Sequence, residues 1–157
     1  IQDLDATPVS SLRETVSFIV GDGAPPQDLL TAGCQAAEAR ADELLAAGPD
    51  KHGLTRDEIA AIHLYTQELM YRALNRALWS QKRGAVKPYW GFIRLLQHAL
   101  FKVPKCEDGA IYRGIKDLQV SDDFMARGGS ELGTMSTTTS MEVALRYAAS
   151  APSLTHV

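Results

Sequence analysis

The sequence contains little cysteine and histidine, and neither residue type is arranged for a metal ion. The two cysteines, Cys34 and Cys106, lie far apart and outside any CxxC motif, with no histidine nearby to complete a zinc ligand set. The four histidines are scattered along the chain. We therefore expect no metal site. The two cysteines are either unrelated thiols or partners in one disulfide bond.

Long apolar runs and a large net charge are also missing. Hydrophobic residues make up 45% of the chain and charged residues 22%, which is ordinary for a globular protein. No run is long enough to cross a bilayer, and the net charge of -3 argues against a nucleic-acid partner. We therefore expect neither a membrane nor a nucleic acid as partner.

The start of the chain leaves its localisation open. The first residues, IQDLDATPVS, include no methionine and lack the basic and then apolar layout of a signal peptide. This start indicates a processed product or an excised part of a longer protein. A secreted or effector protein therefore remains compatible with the sequence.

The first two thirds of the chain carry helical patterns separated by glycine and proline. Thr55 and Glu58 form a capping box, in which each side chain accepts a hydrogen bond from a backbone N–H of the other residue. Tyr65, Trp79 and Trp90 fit a helical core better than a cofactor box, because aromatics at helical spacing are usually packed. The predicted helices cover residues 9–20, 27–47, 55–83 and 88–102.

The last third has short apolar pieces among turn residues, which is typical of strands. The predicted strands are AIYRGI at 110–115, LGTMSTT at 132–138 and the final SLTHV. Ser140 is expected to cap a helix that runs to about Ala149. The sequence therefore predicts an α+β fold, with a helical lobe in residues 1–103 and a small β-rich lobe in residues 104–157.

Arg113 lies in the middle of the first predicted strand. A strand arginine usually points to water without a specific role, but the neighbouring residues favour a function. Gly114 is typical of a place where a ligand or another backbone comes close. A guanidinium binds phosphate oxygens through two parallel hydrogen bonds. The hydroxyl run Ser136–Thr139 follows one strand and one loop later, although such runs also simply cap helices.

Taken together and in this order, three segments resemble the arginine-serine-glutamate class of ADP-ribosyltransferases, which includes cholera-type toxins and vertebrate arginine-specific enzymes. The resemblance runs from Leu54 to the end of the chain, and nothing before Gly48 adds to it. It implies transfer of ADP-ribose from NAD to a side chain of a target protein. The segments are LTRDEIAAIHLYTQELMYRALNRAL at 54–78, IYRGI at 111–115 and MSTTTSMEVALRYA at 135–148.

The resemblance also implies roles for individual residues. Arg113 matches the arginine that holds the NAD phosphates, and the backbone of Gly114 matches the group that pairs with the nicotinamide carboxamide. Ser136 matches the first serine of the Ser-Thr-Ser motif, which orients the catalytic glutamate. Thr137 and Thr138 match the next two positions, where Thr138 replaces a serine and keeps the hydroxyl. We expect Arg113 and Ser136 to lie on neighbouring strands and to face one cleft.

The catalytic carboxylate is the main departure from the family pattern. The family carries Glu-x-Glu or Gln-x-Glu on a later strand, whereas Glu142 is the only acidic residue here after Ser136. Glu142 is expected in the first turn of a helix, where it favours the helix dipole. The sequence therefore predicts a truncated catalytic region, inactive alone, whose sheet a continuation or a second chain completes. The alternative is an inactive ADP-ribosyltransferase-like module that binds a partner protein.

Overall fold

The computed structural model describes residues 10–21, 23–105, 109–115 and 122–149. Contacts divide the chain into two units, Ile1–Pro104 and Lys105–Val157. Whether residues 1–103 and 104–157 serve as a helical lobe and a catalytic lobe stays a prediction. The described elements are α1 (Leu12–Ser17), α2 (Gln27–Ala46), α3 (Arg56–Thr66), α4 (Glu68–Trp79), α5 (Arg83–Val86), the 3-10 helix η1 (Lys87–Tyr89), α6 (Trp90–Lys102), α7 (Asp122–Arg127) and α8 (Met141–Ala149).

The predicted α+β class and its β-rich lobe are wrong, because the described residues form helices and contain no strand or sheet. The two segments predicted as strands, 110–115 and 132–138, meet in an isolated antiparallel bridge between Tyr112 and Thr138. A ladder needs several consecutive paired residues. The two segments form no further pairs beside the bridge. Instead, the backbone of α8 packs against Gly114. The third predicted strand lies outside the described residues.

The capping box is confirmed, but the helix predicted over 55–83 is broken in two. The Thr55 hydroxyl accepts a hydrogen bond from the Glu58 N–H at 3.3 Å, and the Glu58 carboxylate accepts one from the Thr55 N–H at 2.7 Å. Gln67 then adopts an extended conformation between α3 and α4. Its side-chain amide donates to the carbonyl of Gly33 in α2, where a β-carbon would lie only 2.7 Å from the Gln67 oxygen. The hydrogen bond from Gln67 to α2 therefore stabilises the break between α3 and α4.

The core of the first unit is formed by α1, α2, α3, α4 and α6, and α1 packs against α2, α3 and α6. The side chains of this core come from apolar residues at helical spacing, as the sequence predicted. Trp79 differs from the expectation, because 48% of it is exposed. The largest fully buried apolar side chains are Leu12, Ile19, Leu30, Leu64, Met70, Leu74, Phe92 and Leu95.

Two buried carboxylates connect the helices of this unit. Glu38 of α2 accepts hydrogen bonds of 2.7 and 2.5 Å from the Arg13 guanidinium, which lower the pKa of Glu38 against the opposing effect of burial. Burial would raise the pKa of Glu58, but the hydrogen bonds from Lys102 and Thr55 outweigh it and lower that pKa. Lys102 belongs to α6 and lies 2.7 Å from the Glu58 carboxylate. Ionised carboxylates at these two positions therefore stabilise the packing of α2 and α3 against their neighbours.

Glu38→Gln should destabilise the first unit by about 1–2 kcal/mol at pH 7, because the charge-assisted bonds from Arg13 are lost. A carboxylate with a lowered pKa contributes stability above its unfolded pKa and loses it as the pH falls through the folded pKa. The difference between the variant and the parent should therefore shrink below about pH 4. Urea unfolding at pH 7 and in acid measures this. Glu43→Gln, at an exposed carboxylate paired with Arg40, is the matched control and should change little.

Candidate functional site

The isolated bridge brings the predicted site residues of the second unit together. The Tyr112 N–H donates to the Thr138 carbonyl at 2.7 Å, and the Thr138 N–H donates back to the Tyr112 carbonyl at 2.9 Å. Arg113 and Gly114 follow Tyr112, while Ser136 and Thr137 precede Thr138. The arginine segment and the hydroxyl segment therefore lie side by side.

The bridge fixes the direction in which the two segments run. Because the pairing is antiparallel, the residues that follow Tyr112 lie alongside the residues that precede Thr138. The bridge is isolated, so it assigns no further pairs between the two segments. The expectation that Arg113 and Ser136 lie on neighbouring strands is wrong, since the described part of the chain has no strands.

Arg113 is held by a residue that the sequence reasoning missed. Its Nη1 lies 3.2 Å from Oε2 of Glu131, and only 16% of the arginine side chain is exposed. The other carboxylate oxygen of Glu131 accepts a hydrogen bond of 2.9 Å from the N–H of Gly133. Arg113 therefore does not simply point to water. No local pattern signals this pair, because its members are far apart in the sequence.

Gly114 is required by a close approach of helix α8. A β-carbon at this position would lie 2.0 Å from the carbonyl oxygen of Ala144, and 2.9 Å from both the nitrogen of Ala148 and the β-carbon of Tyr147. The sequence left two reasons for this glycine, a ligand or another backbone. The structure shows the second of these.

Part of the hydroxyl run contributes, together with Ser140, to the start of α8, and the rest of the run is exposed. The Thr138 hydroxyl accepts a hydrogen bond from the Ser140 N–H at 3.1 Å, and the Ser140 hydroxyl accepts one from the Val143 N–H at 3.4 Å. The cap predicted at Ser140 is therefore confirmed. Ser136 and Thr137 are exposed, so their side chains are accessible to a ligand.

Glu142 pairs with Arg146 one turn later on α8, at 2.7 Å. Both side chains are largely exposed, at 76% and 72%. This contact is an ordinary helix surface pair. It gives Glu142 no link to Arg113 or to the hydroxyl run.

Among the described residues, no group of three or more histidine, cysteine or acidic side chains is placed to hold a metal ion. None of the helices in these ranges is long and apolar enough to span a membrane. A cavity of about 470 Å³ lies in the first unit, and none of the predicted site residues lines it.

The family model described as NAD:arginine ADP-ribosyltransferase matches residues 24–151. The chain belongs to this ADP-ribosyltransferase family. NAD is therefore the substrate of the family's reaction. The match begins well before Gly48, so α2 is part of the family region although the sequence reasoning gave it no weight. Comparisons with curated proteins and with solved structures gave no significant match.

In this member of the family, two of the predicted site residues contact α8 or its start, and two others are exposed. One face of α8 fills the space beside Gly114. The hydroxyl of Thr138 accepts a hydrogen bond at the start of the same helix. Arg113 is ordered by Glu131, and Ser136 and Thr137 are exposed beside it. The assignment of these five residues to NAD binding stays a prediction.

Gly114→Ala should destabilise the second unit by about 1–3 kcal/mol, because the added methyl group overlaps the backbone of Ala144 and α8 must shift. Limited proteolysis with mass spectrometry, which locates each cleavage, should show faster cutting around α8. Gly84→Ala is the matched control, since a β-carbon there meets no atom within 4 Å. Equal proteolysis of the two variants would contradict the packing seen at Gly114.

Proposed function

We propose that this chain is the catalytic region of a mono-ADP-ribosyltransferase that transfers ADP-ribose from NAD to a protein side chain. The supporting observation is the Tyr112–Thr138 bridge in a chain of this family, since it places Arg113 beside the hydroxyl run. The family description names arginine as the acceptor. We propose an arginine side chain of a target protein as the acceptor here as well.

Arg113 is proposed to hold the NAD diphosphate. Its ion pair with Glu131 uses Nη1, and among the described residues no partner contacts Nε or Nη2. Those N–H groups suit the phosphate oxygens. Thr137 belongs to the segment that the bridge joins to the Arg113 segment, so its hydroxyl is proposed to add a donor at the phosphate end.

The nicotinamide end is proposed to lie toward Gly114 and Ser136, which belong to the two segments that the bridge joins. The backbone of Gly114 would pair with the carboxamide, and Ser136 would orient the catalytic glutamate. Thr138 completes the motif, with its hydroxyl engaged at the start of α8. These roles come from the family resemblance.

The bond between nicotinamide and ribose breaks through a cation-like ribose, which a nearby carboxylate stabilises. Glu131 is occupied by Arg113 and Glu142 by Arg146, so we assign neither as that carboxylate. We propose that the glutamate comes from residues outside this sequence, in a continuation or in a second chain. The chain by itself should then release no nicotinamide from NAD.

A catalytically inactive module that binds a partner protein is the second candidate. It is favoured by the structural tasks of Gly114 and Thr138, which give both residues a reason to be present without NAD. The two candidates differ in whether Arg113 binds phosphate.

Arg113→Ala should weaken NAD binding by about 1.5–3 kcal/mol, because charge-assisted hydrogen bonds to the diphosphate are lost. Arg113→Lys should also bind more weakly, because an ammonium lacks the planar fork. Ser136→Ala should mainly lower the rate, since its proposed task is to orient the glutamate. Calorimetric titration of NAD and nicotinamide release are measured on the full-length protein, with any residues that its gene encodes beyond this sequence.

Thermal melts of the same variants provide the control for folding. If Arg113→Ala binds NAD as well as the parent does, the arginine is no phosphate ligand. If the variant loses its cooperative melt, the arginine has a structural role. Either result would make the interaction module the better description.

Glu131→Gln should strengthen NAD binding by about 3- to 10-fold at low salt. The amide keeps the size of the side chain and a carbonyl acceptor for Arg113, but it removes a negative charge beside the proposed diphosphate. The gain should shrink as salt rises, because the charge is partly exposed and screened. Glu142→Gln, which removes a charge on α8 instead, should leave the affinity unchanged. Weaker binding by Glu131→Gln would show that its charge mainly positions the arginine.

A further inference from the structure

The charges of this chain are strongly separated along the sequence. Residues 69–106 contain eight lysines and arginines and no aspartate or glutamate, while the other residues contain eight basic and all 19 acidic side chains. The overall net charge of -3 hides this separation. A segment with one sign of charge is a candidate for contact with a partner of the opposite sign.

The structure gathers four of these cations at one corner of the first unit, which we call the basic corner: Arg76, Lys82, Arg83 and Lys87. All four residues are exposed. The corner is built from the end of α4, α5 and η1, which pack in that order, and η1 leads directly into α6. The elements that carry the four residues are therefore neighbours in space.

Two further contacts indicate that the elements of the basic corner lie close together. The Arg83 guanidinium lies over the ring of Trp90, 5.2 Å from its centre. Burial raises the pKa of Tyr89 in η1, and the nearby charge of Arg76 opposes this rise. Arg76 of α4 is therefore close to η1, on the same part of the unit as Arg83.

Two other cations of the segment already have acidic partners. Lys102 pairs with buried Glu58, and Arg72 pairs with Glu68 one turn earlier on α4. By contrast, Arg76, Lys82 and Lys87 form no ion pair with any described residue. Three of the four cations of the basic corner are therefore exposed without an acidic partner among the described residues.

The surroundings of the basic corner suit a protein partner. Trp79 lies at the end of α4 with 48% of its surface exposed, next to the exposed run from Ser80 to Gly84. Tryptophan and arginine are the side chains that most often anchor protein interfaces. Four cations at one corner match a short acidic segment. Nucleic-acid binding usually uses a longer track of phosphate contacts.

We propose that the basic corner binds an acidic segment of the acceptor protein and so docks the target for modification. Naming the acceptor as the partner rests on the proposed transferase function. The acidic chemistry of the partner follows from the three exposed cations that have no acidic partner among the described residues. The contact steers the encounter and contributes specificity, as complementary charges do at other interfaces.

The test is fluorescence anisotropy of the full chain with a short fluorescein-labelled peptide rich in glutamate, at low salt. The double variant Lys82→Glu/Lys87→Glu should bind at least about 10-fold more weakly than the parent, since attraction becomes repulsion. The double variant Arg40→Glu/Lys51→Glu makes the same change in net charge at other exposed residues. It should stay within about 2-fold of the parent, because distant exposed charges are screened. Circular dichroism confirms that both variants are folded.

Three further ligands complete the series: a peptide with glutamine in place of glutamate, a single-stranded RNA oligonucleotide, and vesicles containing phosphatidylserine. Equal weakening in both double variants would overturn the proposal, because only net charge would then matter. Tighter binding of RNA or vesicles than of the peptide through Lys82 and Lys87 would also overturn it. Calorimetry with NAD on the full-length protein tests the other function separately. Peptide binding without NAD binding would leave the basic corner as an interaction surface and reject the transferase.

Discussion

Two backbone hydrogen bonds between Tyr112 and Thr138 set the arrangement of the second unit. Because Thr138 pairs through its backbone and starts the turn into α8 through its hydroxyl, one residue fixes both the arginine segment and the helix. Two residues beyond Tyr112, α8 approaches Gly114 closely. The proposed phosphate and nicotinamide ends of the site both depend on this single connection.

The two units are stabilised in different ways. The first has a continuous apolar core, and the buried carboxylates of Glu38 and Glu58 link its helices. In the described residues of the second unit, Ala144 is the only buried side chain, while Phe124, Met125 and Tyr147 are more than half exposed. With little core to fix it, the order of the candidate site rests on the bridge, the α8 contact and the Glu131 ion pair. A ligand that binds this site would therefore add appreciably to its stability.

Electrostatics has a different role at each place where charge is concentrated. In the first unit, Glu38 and Glu58 are shielded from water and paired, so their charges support the fold. At Arg113 a partly exposed carboxylate orders a cation that a diphosphate would also attract. At the basic corner, three of the four cations are exposed without acidic partners among the described residues, so their charge is available to another molecule. The position of each charge, more than the total of -3, indicates what it does.

The sequence by itself determined the family, the order of its motifs and the local helix signals. The caps at Thr55 and Ser140 were predictable because their hydrogen bonds join residues only three apart. The two predicted strands that the structure describes failed because short apolar runs require partners along their whole length, and the described residues supply a single bridge with α8 beside it. The break at Gln67, the ion pair of Glu131 and the reason for Gly114 all depend on residues distant in sequence. Only the tertiary structure decided them, because local propensity carries no information about which distant group will fill the neighbouring space.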